Sequence, residues 1–337
     1  MKLTGKLTKI LANFYYVRDD HDKVWECFAR GRLIKEGKYL FVGDLVEIET
    51  SSDTQGVIVN VLERKNKLLK PPVSNVDQVL VVFSSIEPDL DFYNLDRYLS
   101  CVKYGLPDED VVICINKIDL KNINIDKIYA NSGFNIVYVS ALTGENLDKL
   151  SLYLGEKTTV LTGPSGVGKS SLIKALSLSN DESIKIGDLS AIKKGKQITR
   201  FCQLIYLNNY NVQGYLVDTP GFTQINFHSL DPNKVLATFR ELCDLDCSFS
   251  NCLHSGESGC KIQQEPAVNN VPESRYKNYL KILEETKSEI TYKGKEESQV
   301  KVTGGKGAVK GRKIPKISQE LRAKSRKTQK QELLNEE

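Results

Sequence analysis

With 337 residues, 40% of them hydrophobic and 27% charged, the chain has the balance of a globular protein of two or three domains, which excludes a fibrous or wholly disordered one. It holds no run of 18 apolar residues, and its start, Met1-Lys2-Leu3-Thr4-Gly5-Lys6, lacks the apolar core of an export signal, so a membrane-free, cytoplasmic protein is expected. Its eight cysteines are scattered, which argues against a disulfide framework. The net charge of +4 is uneven: residues 291–337 carry 13 Lys/Arg against 6 Asp/Glu, while the other 290 residues carry 34 against 37. Such a basic segment, expected to be flexible, reads either as a polyanion-binding arm or as a solvated terminus without a partner.

In chain order, residues 1–70 show five short alternating strands, Gly5–Leu11, Phe14–Val17, Trp25–Ala29, Leu45–Glu49 and Gly56–Leu62. Turn residues separate them, and the pattern predicts a small β-barrel of the OB type. Pro71-Pro72 reads as a linker. Residues 71–225 alternate apolar strands (Val76–Phe83, Val111–Ile115, Ile136–Ser140, Thr158–Thr162, Cys202–Leu207, Tyr215–Val217) with amphipathic helices, among them Leu90–Tyr104 and Lys169–Leu178. That alternation predicts a mostly parallel α/β sheet covered on both faces. Residues 226–290 turn helical, with helices predicted at Lys234–Leu242 and Ser274–Lys287 around a Cys/His cluster.

The chemistry lies in four short stretches. Gly163-Pro164-Ser165-Gly166-Val167-Gly168-Lys169-Ser170, followed by Ser171, fits the phosphate-binding loop G-x-x-x-x-G-K-[ST] between a strand and a helix. Its glycines let backbone N–H groups converge on phosphate oxygens, Lys169 is placed to reach the β- and γ-phosphates, and the Ser170 hydroxyl to ligate Mg²⁺. Asp218-Thr219-Pro220-Gly221 closes a core strand. Its carboxylate is suited to Mg²⁺ and the Gly221 N–H to the γ-phosphate. Asn116-Lys117-Ile118-Asp119 ends another strand, and one carboxylate at Asp119 can accept both the N1–H and the 2-amino donors of guanine, which adenine lacks. Ser140-Ala141 adds a backbone N–H for guanine O6. Together they select GTP over ATP. Their order is unusual, because the guanine loop precedes the phosphate loop and Asp218 comes last. One sheet accommodates that order only if the chain is circularly permuted.

Cys247, Cys252, His254 and Cys260 put three thiols and an imidazole within fourteen residues, a donor set for one closed, structural Zn²⁺. Cys114 and Cys202, in apolar strands, are expected to pack as small hydrophobes.

At this point the chain resembles the ribosome small-subunit-dependent GTPases (the RsgA family), circularly permuted GTPases. The resemblance covers roughly residues 1–290 and rests on the barrel-like start, Leu69-Lys70-Pro71-Pro72-Val73-Ser74-Asn75-Val76-Asp77, the permuted motif order and the C-x4-C-x-H-x5-C cluster. It implies an OB domain, a permuted GTPase domain and a zinc domain. It also implies late maturation of the small ribosomal subunit, with rRNA, GTP and GDP as partners, hydrolysis stimulated by that subunit, and action as a monomer.

Two departures concern hydrolysis. Phe222 follows Gly221, where many GTPases carry a water-orienting glutamine. Members of the family usually carry Gly-x-His-Thr-Thr between the phosphate loop and the Asp, whereas this chain reads Gly195-Lys196-Gln197-Ile198-Thr199-Arg200. Thr199 stays available as a Mg²⁺ or γ-phosphate ligand, and the water is positioned either by Gln197 or by rRNA. Two rival readings stand beside a GTP-hydrolysing assembly factor. One is a GTP-dependent RNA-binding switch that needs no turnover, and the other an ATP-using metabolic kinase, which Asp119 disfavours.

Overall fold

The computed structural model describes residues 2–31, 33, 39–69, 72–177, 203–210, 212–218, 227, 230–243, 245, 247–264, 271–296, 300–303 and 312–315. The chain divides into two compact units, Met1–Asn226 with Asp231–Ile282, and Phe227–Leu230 with Leu283–Glu337.

The first unit begins with β1 (Lys2–Leu11), β2 (Phe14–Asp19), β3 (Val24–Ala29), β4 (Leu45–Thr50) and β5 (Gln55–Val61), all five close to where alternation placed them. They form a closed barrel in the order β1-β2-β3-β5-β4, with β1 returning to pair with β4 and β3 running parallel to β5. Alternate residues Leu7, Val17, Trp25, Cys27, Val46, Ile48 and Ile58 fill its interior. This is the expected OB-type barrel.

Of the Pro71-Pro72 pair read as a linker, Pro71 lies outside the described residues. Pro72 opens β7 (Pro72–Ser74), which pairs antiparallel with β6 (Lys67–Leu69), and proline is tolerated there as the first residue of a strand. The buried Asp44 carboxylate accepts from Arg64 Nε at 2.6 Å and Nη2 at 2.8 Å, from Ser74 Oγ at 2.6 Å and from the Phe41 N–H at 2.8 Å. Asn75 Nδ2 donates to the Gly43 carbonyl at 2.9 Å, and Asp77 exchanges two bonds with the Thr158 backbone at 2.9 and 2.8 Å. The run Ser74–Asp77 is therefore the bolt between barrel and sheet.

Six strands make that sheet: β8 (Gln78–Ser84), β9 (Asp110–Asn116), β10 (Asn135–Tyr138), β11 (Thr158–Thr162), β12 (Leu204–Asn209) and β13 (Val212–Asp218). Their order is β10-β9-β8-β11-β13-β12, and every neighbouring pair is parallel except β12 with β13. Every residue of β8 is buried, as a central strand covered on both faces requires. One apolar layer contains Val79, Val81 and Phe83 against Leu95 and Leu99 of α1 (Phe92–Gly105). α1 is capped by Asp91, which accepts from the Tyr93 and Asn94 N–H groups. The short α2 (Asp126–Tyr129) adds Tyr129 to the same layer. The opposite layer contains Leu80, Val82 and Leu161 against α3 (Leu147–Leu154) and α4 (Lys169–Leu176).

The helix predicted over Lys234–Leu242 is two short ones, α5 (Pro232–Leu236) and α6 (Arg240–Cys243). The break falls at Thr238, whose buried hydroxyl bonds the Val235 carbonyl at 2.7 Å and the Ser100 hydroxyl at 2.7 Å. After α7 (Lys261–Gln264), α8 (Glu273–Glu296) runs well beyond the predicted Ser274–Lys287. In the second unit, β14 (Val300–Thr303) and β15 (Arg312–Pro315) pair antiparallel within the basic segment.

Arg275 of α8 is 1% exposed and pairs with two carboxylates, Asp96 of α1 and Glu241 of α6, the latter at 2.6 Å. Tyr129 and Asn278 also donate to Asp96, at 2.8 and 2.7 Å, and the guanidinium lies over the Tyr129 and Phe239 rings. Removing one partner of a buried pair strands the other charge. Asp96→Ala is expected to lower unfolding stability by roughly 3–5 kcal/mol, measured by urea denaturation of the full chain.

Candidate nucleotide site and metal cluster

The phosphate-loop sequence lies between β11 and α4, as the motif requires. Two of its glycines are dictated by space. Gly163 has φ +144, and a Cβ there would sit 2.0 Å from the Val82 carbonyl oxygen. Gly168 has φ +92, and a Cβ there would meet Asn116 Nδ2 at 2.3 Å. The loop thus packs directly on the ends of β8 and β9. Lys169 Nζ folds over the loop and donates to the Gly163 and Pro164 carbonyls at 2.7 and 2.6 Å. Ser170 and Ser171 follow in the first turn of α4, whose free N–H groups and dipole favour an anion.

Asn116, at the end of β9, is 2% exposed. Its Nδ2 donates to the Val167 carbonyl at 2.9 Å and its Oδ1 accepts from the Ala141 N–H at 3.0 Å. The Ala141 N–H, expected to face guanine O6, is directed at Asn116 here. Lys117 has φ +65, its carbonyl accepts from Ser85 Oγ at 2.7 Å, and its ammonium bonds the Glu87 carbonyl. Its side chain therefore lies along one wall. The Ile118 N–H donates to the Val139 carbonyl at 3.3 Å, which holds this loop against the Ser140 turn. Asp119 is exposed and uncommitted by any ion pair among the described residues.

A cavity of about 420 Å³ opens between these loops, lined by Asn116, Lys117, Asp119, Ala141, Gly168 and Ser171 among others. Leu120, Leu142, Lys174 and Ala175 also line it, and motif reasoning passes over all four. Leu120 is 56% exposed and Leu142 84% exposed. An apolar side chain held in water beside a carboxylate suits a flat aromatic base. The only sequence signal is a leucine directly after each of two polar turns.

Asp218 ends β13, and at the register position it pairs with Leu161, two residues before the phosphate loop. Gln197, Thr199 and Gly221 lie outside the described residues, as does Cys202.

The thiols of Cys247, Cys252 and Cys260 and the imidazole of His254 converge, their ligand atoms all within 4.8 Å of one another. Sγ of Cys247, Cys252 and Cys260 lies 3.5, 3.7 and 3.4 Å from His254 Nδ1, and Cys247 and Cys260 are 4.0 Å apart. A tetrahedron with Zn–S bonds of 2.3 Å has edges of about 3.8 Å, so the donor set already has the dimensions of such a centre. The described cysteines are free thiols. Burial pushes the Cys252 thiol up to about 12 and draws the His254 imidazole below its usual range, so both favour their uncharged forms until a cation is present. The loop is fixed from within, where Glu257 accepts from the Leu253 and Ser255 N–H groups at 3.1 and 2.7 Å, and from α8, whose Tyr276 and Tyr279 donate to the His254 and Leu253 carbonyls. This cluster can hold a metal ion. Cys114, by contrast, is fully buried in β9 as expected, and burial pushes its thiol up to about 12.

Comparison with known proteins follows the same division. The profile of the RsgA GTPase family matches residues 61–228, and that of the RsgA N-terminal domain matches residues 4–58. The small ribosomal subunit biogenesis GTPase RsgA 1 of Listeria monocytogenes is 36% identical over 300 residues, covering 85% of this chain and 98% of its own. The RsgA of a Geobacillus species is 35% identical over 295 residues, covering 84% and 97%. Among solved structures, YjeQ from Thermotoga maritima superposes with a TM-score of 0.71 at 32% identity, covering 85% of this chain and 98% of that one. YloQ, a circularly permuted GTPase, gives 0.70 at 29% identity, covering 86% and 96%. With two profiles meeting near the barrel–sheet junction and full-length relatives above 30% identity, the chain belongs to the RsgA GTPase family.

Proposed function

We propose that the chain hydrolyses GTP as a maturation factor of the small ribosomal subunit, binding rRNA and acting as a monomer. The observation that carries this reading is the junction of phosphate loop, Asn116 loop and Ser140 turn around one cavity, in a family whose named members are small-subunit biogenesis GTPases. In this reading the loop Gly163–Ser171 surrounds the phosphates with the backbone N–H groups of its residues other than Pro164, and Lys169 exchanges its loop carbonyls for the β- and γ-phosphate oxygens. Asp119 accepts from guanine N1–H and the 2-amino group. Lys117 and Leu142 cover the base, and the Ala141 N–H turns from Asn116 to O6. Ser170, Asp218 and Thr199 are assigned to Mg²⁺, which when bound neutralises charge on the transferred phosphoryl group. Gly221 is assigned to the γ-phosphate and Gln197 to orienting the attacking water. Zinc is assigned to Cys247, Cys252, His254 and Cys260, with four protein donors and hence a structural role. No helix among the described residues is long and apolar enough to cross a membrane, and we place the chain in the cytoplasm with the subunit.

The deciding experiment is GTP turnover with and without purified small subunits; a rate unmoved by subunits would reject the assembly-factor reading. Base recognition is tested by Asp119→Asn, whose amide can donate where the carboxylate only accepts. GTP affinity should fall more than about tenfold, a loss of about 1.5–3 kcal/mol, with a gain for xanthosine triphosphate in equilibrium titrations. Freshly purified protein should carry about one zinc per chain by elemental analysis, and Cys252→Ser should lose it while keeping nucleotide affinity. Gln197→Ala should cut subunit-stimulated turnover by about ten- to a thousandfold with GTP affinity nearly unchanged; wild-type turnover would transfer the role to rRNA.

A further inference from the structure

Lys6 is a half-buried cation of the barrel that none of the chemistry above uses. From β1 it reaches across to the sheet, where Nζ donates to Thr158 Oγ1 at 3.1 Å and lies 4.6 Å from the centre of the Tyr215 ring. Thr158 and Tyr215 are register partners on β11 and β13. Burial draws the Lys6 ammonium below the ordinary lysine range, opposed by the nearby Asp77 carboxylate. Its hydrogen bond goes to a neutral hydroxyl, so the charge is held by a weak, distance-sensitive set of contacts rather than by a tight ion pair.

The rung that Lys6 touches has a particular place. In an open α/β sheet the reacting groups stand at the carboxyl ends of the strands. β11 leads from Thr158 to the phosphate loop at Gly163, and β13 leads from Tyr215 to Asp218. At about 3.3 Å per residue, Lys6 therefore grips the same two strands roughly 10–17 Å from the groups that face the nucleotide. The neighbouring strand is gripped as well. The Arg18 guanidinium lies 4.4 Å over the Tyr206 ring of β12, the Tyr206 and Tyr215 rings meet tilted at 5.3 Å between centroids, and the Tyr206 hydroxyl donates to Asp22 at 3.4 Å. An isolated antiparallel bridge joins Lys9 to Gln203, just ahead of β12, and Ile10 packs against both the barrel core and the sheet core. β12 and β13 are the strands that follow the Gln197–Thr199 stretch and precede Gly221.

We infer that Lys6 is a positioning residue through which the barrel sets the nucleotide site: force on the barrel reaches the Thr158–Tyr215 rung through Lys6, and the phosphate loop and Asp218 move with that rung. This rests on the reading of the chain as a subunit-stimulated GTPase, and it assigns the barrel a regulatory part in that reaction beyond holding on to the subunit. The contacts suit the purpose, because one hydrogen bond and one cation–ring contact can shift with docking, whereas the Asp44–Ser74 and Asp77–Thr158 bonds keep the barrel attached.

The test uses the full chain with Lys6→Met, which keeps the length and removes the charge, and Lys6→Arg, which restores it. Intrinsic turnover, GTP affinity and melting temperature should match the wild type. Subunit-stimulated kcat should fall about tenfold or more in Lys6→Met, with the half-saturating subunit concentration within about twofold, and Lys6→Arg should recover most of the rate. Tyr215→Leu combined with Lys6→Met should cost little beyond either change alone. A wild-type stimulated kcat in folded Lys6→Met, or a loss confined to half-saturation, overturns the inference. If subunits do not stimulate the wild type at all, it is the functional reading that fails, and the clasp is read instead by hydrogen exchange. Protection of β1 should then differ between the GDP and non-hydrolysable GTP complexes in the wild type and be equal in Lys6→Met; equal protection in the wild type rejects it.

Discussion

One buried carboxamide organises the candidate nucleotide site. Asn116 donates to Val167 and accepts from Ala141, residues 51 and 25 positions away, so it ties the Gly163–Ser170 loop, the Asn116–Asp119 turn and the Ser140 turn into one wall. Only an amide can do this, because one partner needs a donor and the other an acceptor; aspartate would turn an anion toward the Val167 carbonyl. The missing side chain at Gly168 completes the fit by letting Asn116 approach the loop backbone. The permuted chain order is compatible with this arrangement because the loops all emerge from the carboxyl ends of parallel strands. Spatial order in the sheet, not order along the chain, brings them together.

The flanking elements are joined to this core by buried polar contacts. Asp44, held by Arg64 and Ser74, and Arg275, held by Asp96 and Glu241, each place a charge where water is excluded. Such pairs add little net stability against an apolar replacement, yet they punish any other arrangement of the pieces. That suits elements whose alignment matters more than their adhesion. The barrel is fixed to the start of the sheet by Ser74–Asp77, and α8 is fixed to α1 and α6 by Arg275 while its tyrosines secure the metal loop. The same helix therefore links the Cys/His cluster to the GTPase fold.

Sequence by itself determined the elements whose signals are short-range. Alternation located all five barrel strands, and the phosphate loop was legible because strand, glycine turn and helix follow one another within twenty residues. The Asn116–Asp119 turn and the Cys247–Cys260 set were located for the same reason, since each is a short run of distinctive residue types. Three things depended on the tertiary structure. The partner of the Ala141 N–H, the apolar walls at Leu120 and Leu142, and the Lys6 contact with β11 and β13 each join residues far apart in the chain. The interruption of the predicted helix at Thr238 belongs with them, because the hydroxyl that breaks it is held by Ser100, 138 residues earlier. Local propensity and periodicity register a residue's neighbours along the chain, whereas these features were decided by what the folded sheet and barrel brought against it.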